Sequence, residues 1–218
     1  MALKKIVAAG LLSHHKRPHS NAAATKGDCA NYVLLIIFGM LKKEKLVRKN
    51  RIYTGKAIDF LADTVRLQNG RTAVREYTGH PGASGALPVL PGNRVVLIRQ
   101  YRYPAGKFTL EIPAGKLSPG EKPLACIKRE LREEAGFSAG KFILLSRYQP
   151  SAAFSTETIY VYAALNLKHV GAKPDDDEFI EQKELGLDEA LQMVRNNKIG
   201  DSKTVIALLL WKDFLTGQ

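Results

Sequence analysis

Four glutamates and an arginine crowd one short stretch of this chain, Gly115 to Phe137 (GKLSPGEKPLACIKRELREEAGF). Glu130, Glu133 and Glu134 stand at i, i+3 and i+4, so on a helix turning about 100° per residue their carboxylates share one arc of roughly 100°. Glu121 lies upstream of them and Arg129 directly beside them. Like charges at this spacing cost an isolated helix a few tenths of a kcal/mol per pair, about 0.3, and the nearby arginines offset that only in part. Hard divalent cations prefer oxygen ligands, and magnesium is held by a few carboxylates together with substrate phosphates and water. The pattern therefore suits a divalent metal and a phosphate-bearing substrate.

The element that positions these acids must be a helix with a second, apolar face. Leu124, Ile127, Leu131 and Ala135 recur at spacings of three, four and four, an apolar stripe that can dock on a core while the neighbouring acidic stripe lines a site. Pro123 suits the first helical turn, and Gly136 suits the left-handed cap that ends it. An ordinary amphipathic helix with its glutamates in water would share the stripe. It would not require the rest of the pattern: Gly115, five residues, Glu121, seven residues, Arg129-Glu130-Leu131, one residue, Glu133-Glu134, one residue, Gly136-Phe137.

That pattern resembles the Nudix box, the signature of hydrolases that cleave nucleoside diphosphates linked to another moiety, and every fixed position is matched. The resemblance implies a loop, helix, loop motif carrying Mg²⁺, with Mn²⁺ as the alternative. It makes Glu130 and Glu134 the principal metal ligands, Glu133 a further or water-mediated ligand and a catalytic candidate, and the Ala114 carbonyl a backbone ligand. Arg129 would orient a glutamate of the cluster, and Glu121 would support the loop or act as an outer ligand. Metal ions bridging a pyrophosphate neutralise its oxygens, polarise phosphorus and lower the pKa of a bound water that attacks in line.

Three flanking segments are similar to the ADP-ribose pyrophosphatase and nucleotide-sugar branch of that family. Val95 to Pro104 (VVLIRQYRYP) reads as a buried strand with a basic, aromatic exit and leads towards Glu111-Ile112-Pro113-Ala114-Gly115. The resemblance puts substrate phosphate at Arg102, whose planar guanidinium offers a fork of donors to a diphosphate. Pro150 to Glu157 resembles a substrate loop, with Ser151 and Glu157 at contact positions. Ala152 stands where ADP-ribose pyrophosphatases carry proline, which leaves ADP-sugars, GDP-mannose and related compounds open. Pro174-Asp175-Asp176-Asp177-Glu178 by composition reads as a solvated loop. By resemblance it is the mobile acidic loop that supplies a general base or extra metal ligand, with Asp176 and Glu178 the candidates.

The remaining sequence sets the frame. At 218 residues, 45% apolar and 25% charged, the chain suits one good-sized core with a small extension. Cys29 and Cys126 show no metal spacing, and the latter sits in the box, so a reducing, cytoplasmic setting is expected. Residues 1–39 hold no clear periodic element and are expected to be a disordered or upstream extension. The apolar run Tyr32 to Phe38 is far shorter than the ~20 residues of a membrane helix. Residues 1–39 carry five Lys/Arg and one acid, leaving +8 of the formal +12 to residues 40–218. No dense basic run occurs there, and a nucleotide substrate is reason enough for a positive field. Nucleic acid is therefore not the expected partner, with RNA, as in decapping relatives, a lesser alternative.

Ile52 to Leu67 and Thr72 to Tyr77 read as extended runs about a turn at Gln68-Asn69-Gly70. The resemblance makes residues 40–82 a small antiparallel β region that dimerises with a second copy, with Arg75 and Glu76 as substrate contacts. Residues 83–218 would be the Nudix hydrolase domain, an α/β/α sandwich on a mixed sheet. Leu187 to Asn196 and the segment capped by Asp201 read as its later helices, with Trp211 in their packing. The expected activity is hydrolysis of ADP-ribose to AMP and ribose 5-phosphate. The rivals are another nucleotide-sugar pyrophosphatase and a non-catalytic Nudix sensor of ADP-ribose, although sensors often carry degraded boxes and this one is intact.

Overall fold

A computed structural model of the chain describes residues 42–173 and 178–217. The expected extension at residues 1–39 and Asp176 of the acidic loop lie outside the described residues. Short β-branched and aromatic runs form the first sheet: β1 (Lys45–Arg48), β2 (Arg51–Thr54), β3 (Asp59–Arg66) and β4 (Thr72–Gly79). β3 is its centre, with β4 on one edge and β1 and β2 sharing the other, all antiparallel. The run expected from Ile52 to Leu67 is broken at Gly55, whose N–H donates to the Ile58 carbonyl at 3.1 Å. A Cβ there would meet that carbonyl oxygen at 2.6 Å, so the tight turn needs glycine. Buried Asp63 accepts from the Asn50 N–H at 2.9 Å and the Tyr77 hydroxyl at 2.8 Å, which holds its carboxyl below the usual range. In the turn of residues 67–71, Leu67 N–H donates to the Arg71 carbonyl at 2.8 Å and Gly70 takes a φ of 85°, as the Asn-Gly pair foretells.

The second sheet has seven strands: β5 (Ala83–Leu90), β6 (Arg94–Arg102), β7 (Lys107–Glu111), β8 (Ala114–Lys116), β9 (Phe137–Tyr148), β10 (Ile159–His169) and β11 (Glu181–Gly186). They run in the order β11-β6-β5-β10-β9, with β7 against β6 and β8 against β5. β5 and β10 are parallel and the other pairings antiparallel, giving the expected mixed sheet. Side chains alternate between its faces, so adjacent Ala86 and Leu87, Leu97 and Ile98, and Ala163 and Ala164 feed two separate cores. α1 (Pro123–Glu133) seals one with Ile127 and Leu131, joined by Ala135. α2 (Leu187–Arg195) and α3 (Ser202–Thr216) seal the other with Leu191, Ala207, Leu208 and Trp211. This is the α/β/α layering expected from the sequence.

Several local expectations are refined. Pro123 opens α1 and Gly136 follows it at a φ of 62°, but Leu124 is 40% exposed while Cys126 is fully buried in its place. Cys126 Sγ packs on the Gly115 and Lys116 carbonyls at 3.5 and 3.6 Å, so α1 is rotated towards β8 relative to the apolar stripe. β11 was not visible in the sequence because EQKELG lies on β6 with four charged or polar side chains exposed and shows no alternation. Asp201 caps α3 by accepting from the Thr204 N–H at 3.0 Å. Trp211 is buried and stacks on Phe214, a packing residue. Among the described residues no helix is long and apolar enough to cross a membrane.

Candidate active site

α1 and the short strand before it bring the box carboxylates together. Arg129 sits among them: Nη1 donates to Glu130 at 2.7 Å and to Glu133 at 2.9 Å, and Nε and Nη2 each reach Glu121 at 3.3 Å. Arg129, expected as an orienting residue, thus contacts three of the four box glutamates. Glu121 also accepts from the Ser118 N–H at 3.0 Å and so ties the preceding loop to the helix. Gly115 lies directly under Glu130, and a Cβ there would fall 1.7 Å from Oε1, so any larger residue would displace the Glu130 carboxylate from its place beside Arg129.

Glu134 differs from its neighbours. It is 4% exposed, its Oε2 accepts from the Ala114 N–H at 2.8 Å, and among the described residues no cation forms an ion pair with it. Burial pushes its pKa up to about 8, and the charges of Glu130 and Glu178 push the same way. Burial also raises Glu130, with Glu133 and Glu178 adding to it against Arg129. Among the described residues no three acids stand ready-made as a metal-ligand group, because Glu130 and Glu133 face Arg129. The donor chemistry nevertheless fits a hard divalent cation: acidic oxygens in excess of cations, one of them buried and unpaired. At Ala114 the contact seen is through its N–H.

A second network lies between β6, β7 and α3. Arg102 grips Glu111 with two donors, Nε at 2.8 Å and Nη2 at 2.7 Å. The Thr109 hydroxyl donates to Glu111 Oε1 at 2.6 Å, and Lys203 Nζ donates to Oε2. Lys203 also donates to Asp201 at 2.8 Å. Burial would raise Glu111, but Arg102 and Lys203 overcome it and hold the carboxyl down at about 2. Arg102 is held above its ordinary value by Glu111 first, and also feels the charges of Glu134 and Asp201. The charge of Glu134 thus acts on Arg102 from the first network. The group borders a cavity of about 610 Å³ between the β6–β7 hairpin and the start of α3. Of its members the sequence points only to Arg102 as a contact; Glu111 and Lys203 are 92 residues apart and carry no spacing signal, the acid inside an apolar string being the one available clue.

The other candidates are distributed. Glu178 is near enough for its charge to act on both Glu130 and Glu134. The segment before it is tied to the end of α1, where Val170 N–H donates to the Gly136 carbonyl at 2.8 Å and Lys173 N–H to the Glu133 carbonyl at 3.0 Å. Ser151 turns the loop after β9, its carbonyl accepting from Phe154 and Ser155. That loop is stitched to the end of β4, with Thr78 N–H donating to the Phe154 carbonyl at 2.9 Å and His80 N–H to the Thr156 hydroxyl at 2.8 Å. Glu157 lies 3.7 Å from His80 Nδ1, which accepts from the Gly82 N–H. Arg75 and Glu76 are exposed on β4 and, as strand neighbours, point to opposite faces, so the structure does not bring them together on one surface.

The NUDIX domain family model matches residues 79–208, more than half of the chain. The chain belongs to the Nudix family. A Methanol dehydrogenase activator of Bacillus methanolicus is 41% identical over 78% of this chain and 93% of its own length. An ADP-ribose pyrophosphatase of Bacillus subtilis is 37% identical over 81% of this chain and 97% of its own. A crystal structure of an ADP compounds hydrolase superposes with a TM-score of 0.73 at 22% identity, covering 82% of this chain and 97% of that one, which shows a shared fold. In this Nudix chain the box helix is α1, and the Arg102 network joins the strands that lead into it to the start of α3.

Proposed function

We propose that this Nudix hydrolase splits the diphosphate of ADP-ribose, giving AMP and ribose 5-phosphate by addition of one water. The observation that carries the reading is the buried, unpaired Glu134 beside Glu130 and Glu178, an excess of negative charge that a divalent ion would answer. The resemblance of the flanking segments and the similarity to the ADP-ribose pyrophosphatase of Bacillus subtilis support ADP-ribose as the substrate class. Glu130 and Glu134, with Glu133 and the Ala114 carbonyl as further ligands, would hold Mg²⁺, with Mn²⁺ as the alternative. When bound, the ion supplies neutralisation of the diphosphate oxygens and polarisation of phosphorus.

The chain's own groups do the rest. Arg129 fixes Glu130 and Glu133, so these carboxylates meet an incoming substrate in a set orientation. Arg102 uses two of its five N–H donors on Glu111 and keeps three for diphosphate oxygens. Glu178 takes the proton of the attacking water at its carboxylate, a role for which Asp176 is the alternate and Glu133 the in-box candidate. Ser151 and Glu157 are the proposed substrate contacts within the chain, and Arg75 and Glu76, on opposite faces of β4, are candidates for contact from a second copy. The first sheet suits that dimer: Tyr53, Phe60 and Val74 share one face and are exposed, an apolar surface for the second copy to cover. Light scattering of the full chain is expected to give twice the monomer mass. The buried free thiol of Cys126, pushed up to about 12 chiefly by burial, agrees with a reducing cytoplasmic setting.

The test is product analysis of the full chain with Mg²⁺ on ADP-ribose, ADP-glucose and GDP-mannose. AMP released preferentially from ADP-ribose supports the proposal. Preference for GDP-mannose would move the specificity, in keeping with Ala152, while retaining the chemistry. Tight nucleotide binding without turnover would make the protein a sensor.

A further inference from the structure

We propose that Lys203, at the start of α3, is a positioning residue for the diphosphate-binding arginine, acting through Glu111. The inference rests on the reading that Arg102 contacts the diphosphate. Glu111 is almost fully buried and its two oxygens are saturated: Oε1 accepts from Arg102 Nε and the Thr109 hydroxyl, Oε2 from Arg102 Nη2 and Lys203 Nζ. A carboxylate has about four lone-pair sites, so Glu111 has none left for a metal or substrate. It can serve only to hold the groups around it.

The consequence for Arg102 is orientation. A bidentate grip along Nε and Nη2 fixes the plane of the guanidinium, and the free edge is the one carrying Nη1. Lys203 decides how strongly that grip draws on the arginine. With Lys203 and Thr109 sharing the carboxylate, Arg102 faces an acid whose charge is already partly answered, so its free edge stays available to phosphate. Without Lys203, Glu111 has Arg102 as its sole cation, and the arginine must balance a buried charge alone. Lys203 is itself fixed: it is 12% exposed, bonds to Asp201 at 2.8 Å, and follows the residue that caps α3. Thr204 extends the linkage, receiving the Ile112 N–H at 2.8 Å and so joining the cap to the strand end next to Glu111. The C-terminal helix thereby sets a substrate-binding side chain on β6.

The test compares Lys203→Met, Lys203→Arg, Arg102→Ala and the Arg102→Ala/Lys203→Met double variant in the full-length protein. Two readouts are taken: KM and kcat for ADP-ribose with Mg²⁺, and the calorimetric Kd of ADP-ribose in metal-free buffer. Lys203→Met is expected to raise KM and Kd about tenfold with kcat within about threefold of wild type, Lys203→Arg to restore most of the loss, and the double variant to match Arg102→Ala. A double variant in which the two losses multiply would mean that Lys203 acts independently of Arg102, and would overturn the proposal alone. An unchanged KM in Lys203→Met, or a loss confined to kcat, would also overturn it. If Arg102→Ala leaves KM unchanged, the diphosphate reading fails, and the positioning proposal with it. Should Lys203→Met not fold, Lys203→Gln, which keeps a donor without the charge, is held to the same outcomes.

Discussion

Two clusters of arginine and carboxylate lie on neighbouring elements, and their charges add up differently. On α1 one guanidinium, Arg129, answers Glu121, Glu130 and Glu133, while Glu134 has only the Ala114 N–H. Between β6, β7 and α3, Arg102 and Lys203 face Glu111 and Asp201, two cations with two acids. The chemistry of the groups is the same in both, yet Glu134 is pushed up to about 8 and Glu111 down to about 2. Burial raises both, and only Glu111 is ion-paired to cations, Arg102 and Lys203, that overcome it. A cluster closed on itself positions other groups. A cluster left with excess charge is built to receive a ligand that completes it.

Neutralising the excess should separate activity from folding. Glu134→Gln keeps the shape and the acceptor for the Ala114 N–H but removes the charge, so kcat is expected to fall by about 100-fold or more. Its thermal midpoint should hold or rise, because folding no longer has to protonate or bury a carboxyl whose pKa is pushed up to about 8. A near-wild-type kcat would contradict the assignment of Glu134 to the metal. Glu111→Gln in the closed cluster should do the reverse in emphasis, leaving Lys203 buried without its nearest carboxylate. We expect a loss of about 2–3 kcal/mol in denaturant unfolding, below the full cost of breaking a buried pair because Arg102 is half open to water.

The pH dependence of the metal-free protein sharpens the same contrast. Glu134 has a folded pKa raised from 4.5 to about 8, so its contribution is full below 4.5 and is lost as pH rises through 8. Glu111 has a folded pKa lowered from 4.5 to about 2, so its contribution is present above 4.5 and is lost as pH falls through 2. A scan of thermal midpoint against pH should therefore decline on both sides of about pH 5. Glu134→Gln is expected to flatten the alkaline limb and Glu111→Gln the acid one. If the alkaline limb persists in Glu134→Gln, another group is responsible for it.

These clusters also mark what could be read from the sequence. Glu121, Arg129, Glu130, Glu133 and Glu134 were legible because one helix and its preceding loop fix their relations, so spacing along the chain is spacing in the site. The layered fold was legible through the resemblance that the box and its flanking segments carry, while apolar runs and helical stripes marked single elements. Lys203 and Glu111 were not, since their pairing depends on where α3 lands against β7. Leu124 and Cys126 show the intermediate case: periodicity found the helix, but its rotation was decided by Cys126 packing on the β8 carbonyls. β11 was hidden because its exposed residues are charged.

The smallest effect tests how Arg129 works inside the open cluster. Its guanidinium touches three carboxylates from one planar group, which a single ammonium cannot reproduce. Arg129→Lys preserves the charge, and the residue is over a third exposed, so unfolding free energy should change by less than about 1 kcal/mol. What changes is direction: Lys can satisfy Glu130 or Glu133 but not also hold Glu121 against the loop. If Arg129 acts by geometry, kcat should drop about tenfold, and the Mg²⁺ concentration for half-maximal rate should rise. If it acts only by neutralising charge, Lys should serve nearly as well, and unchanged kinetics would reduce the difference between the two clusters to charge alone.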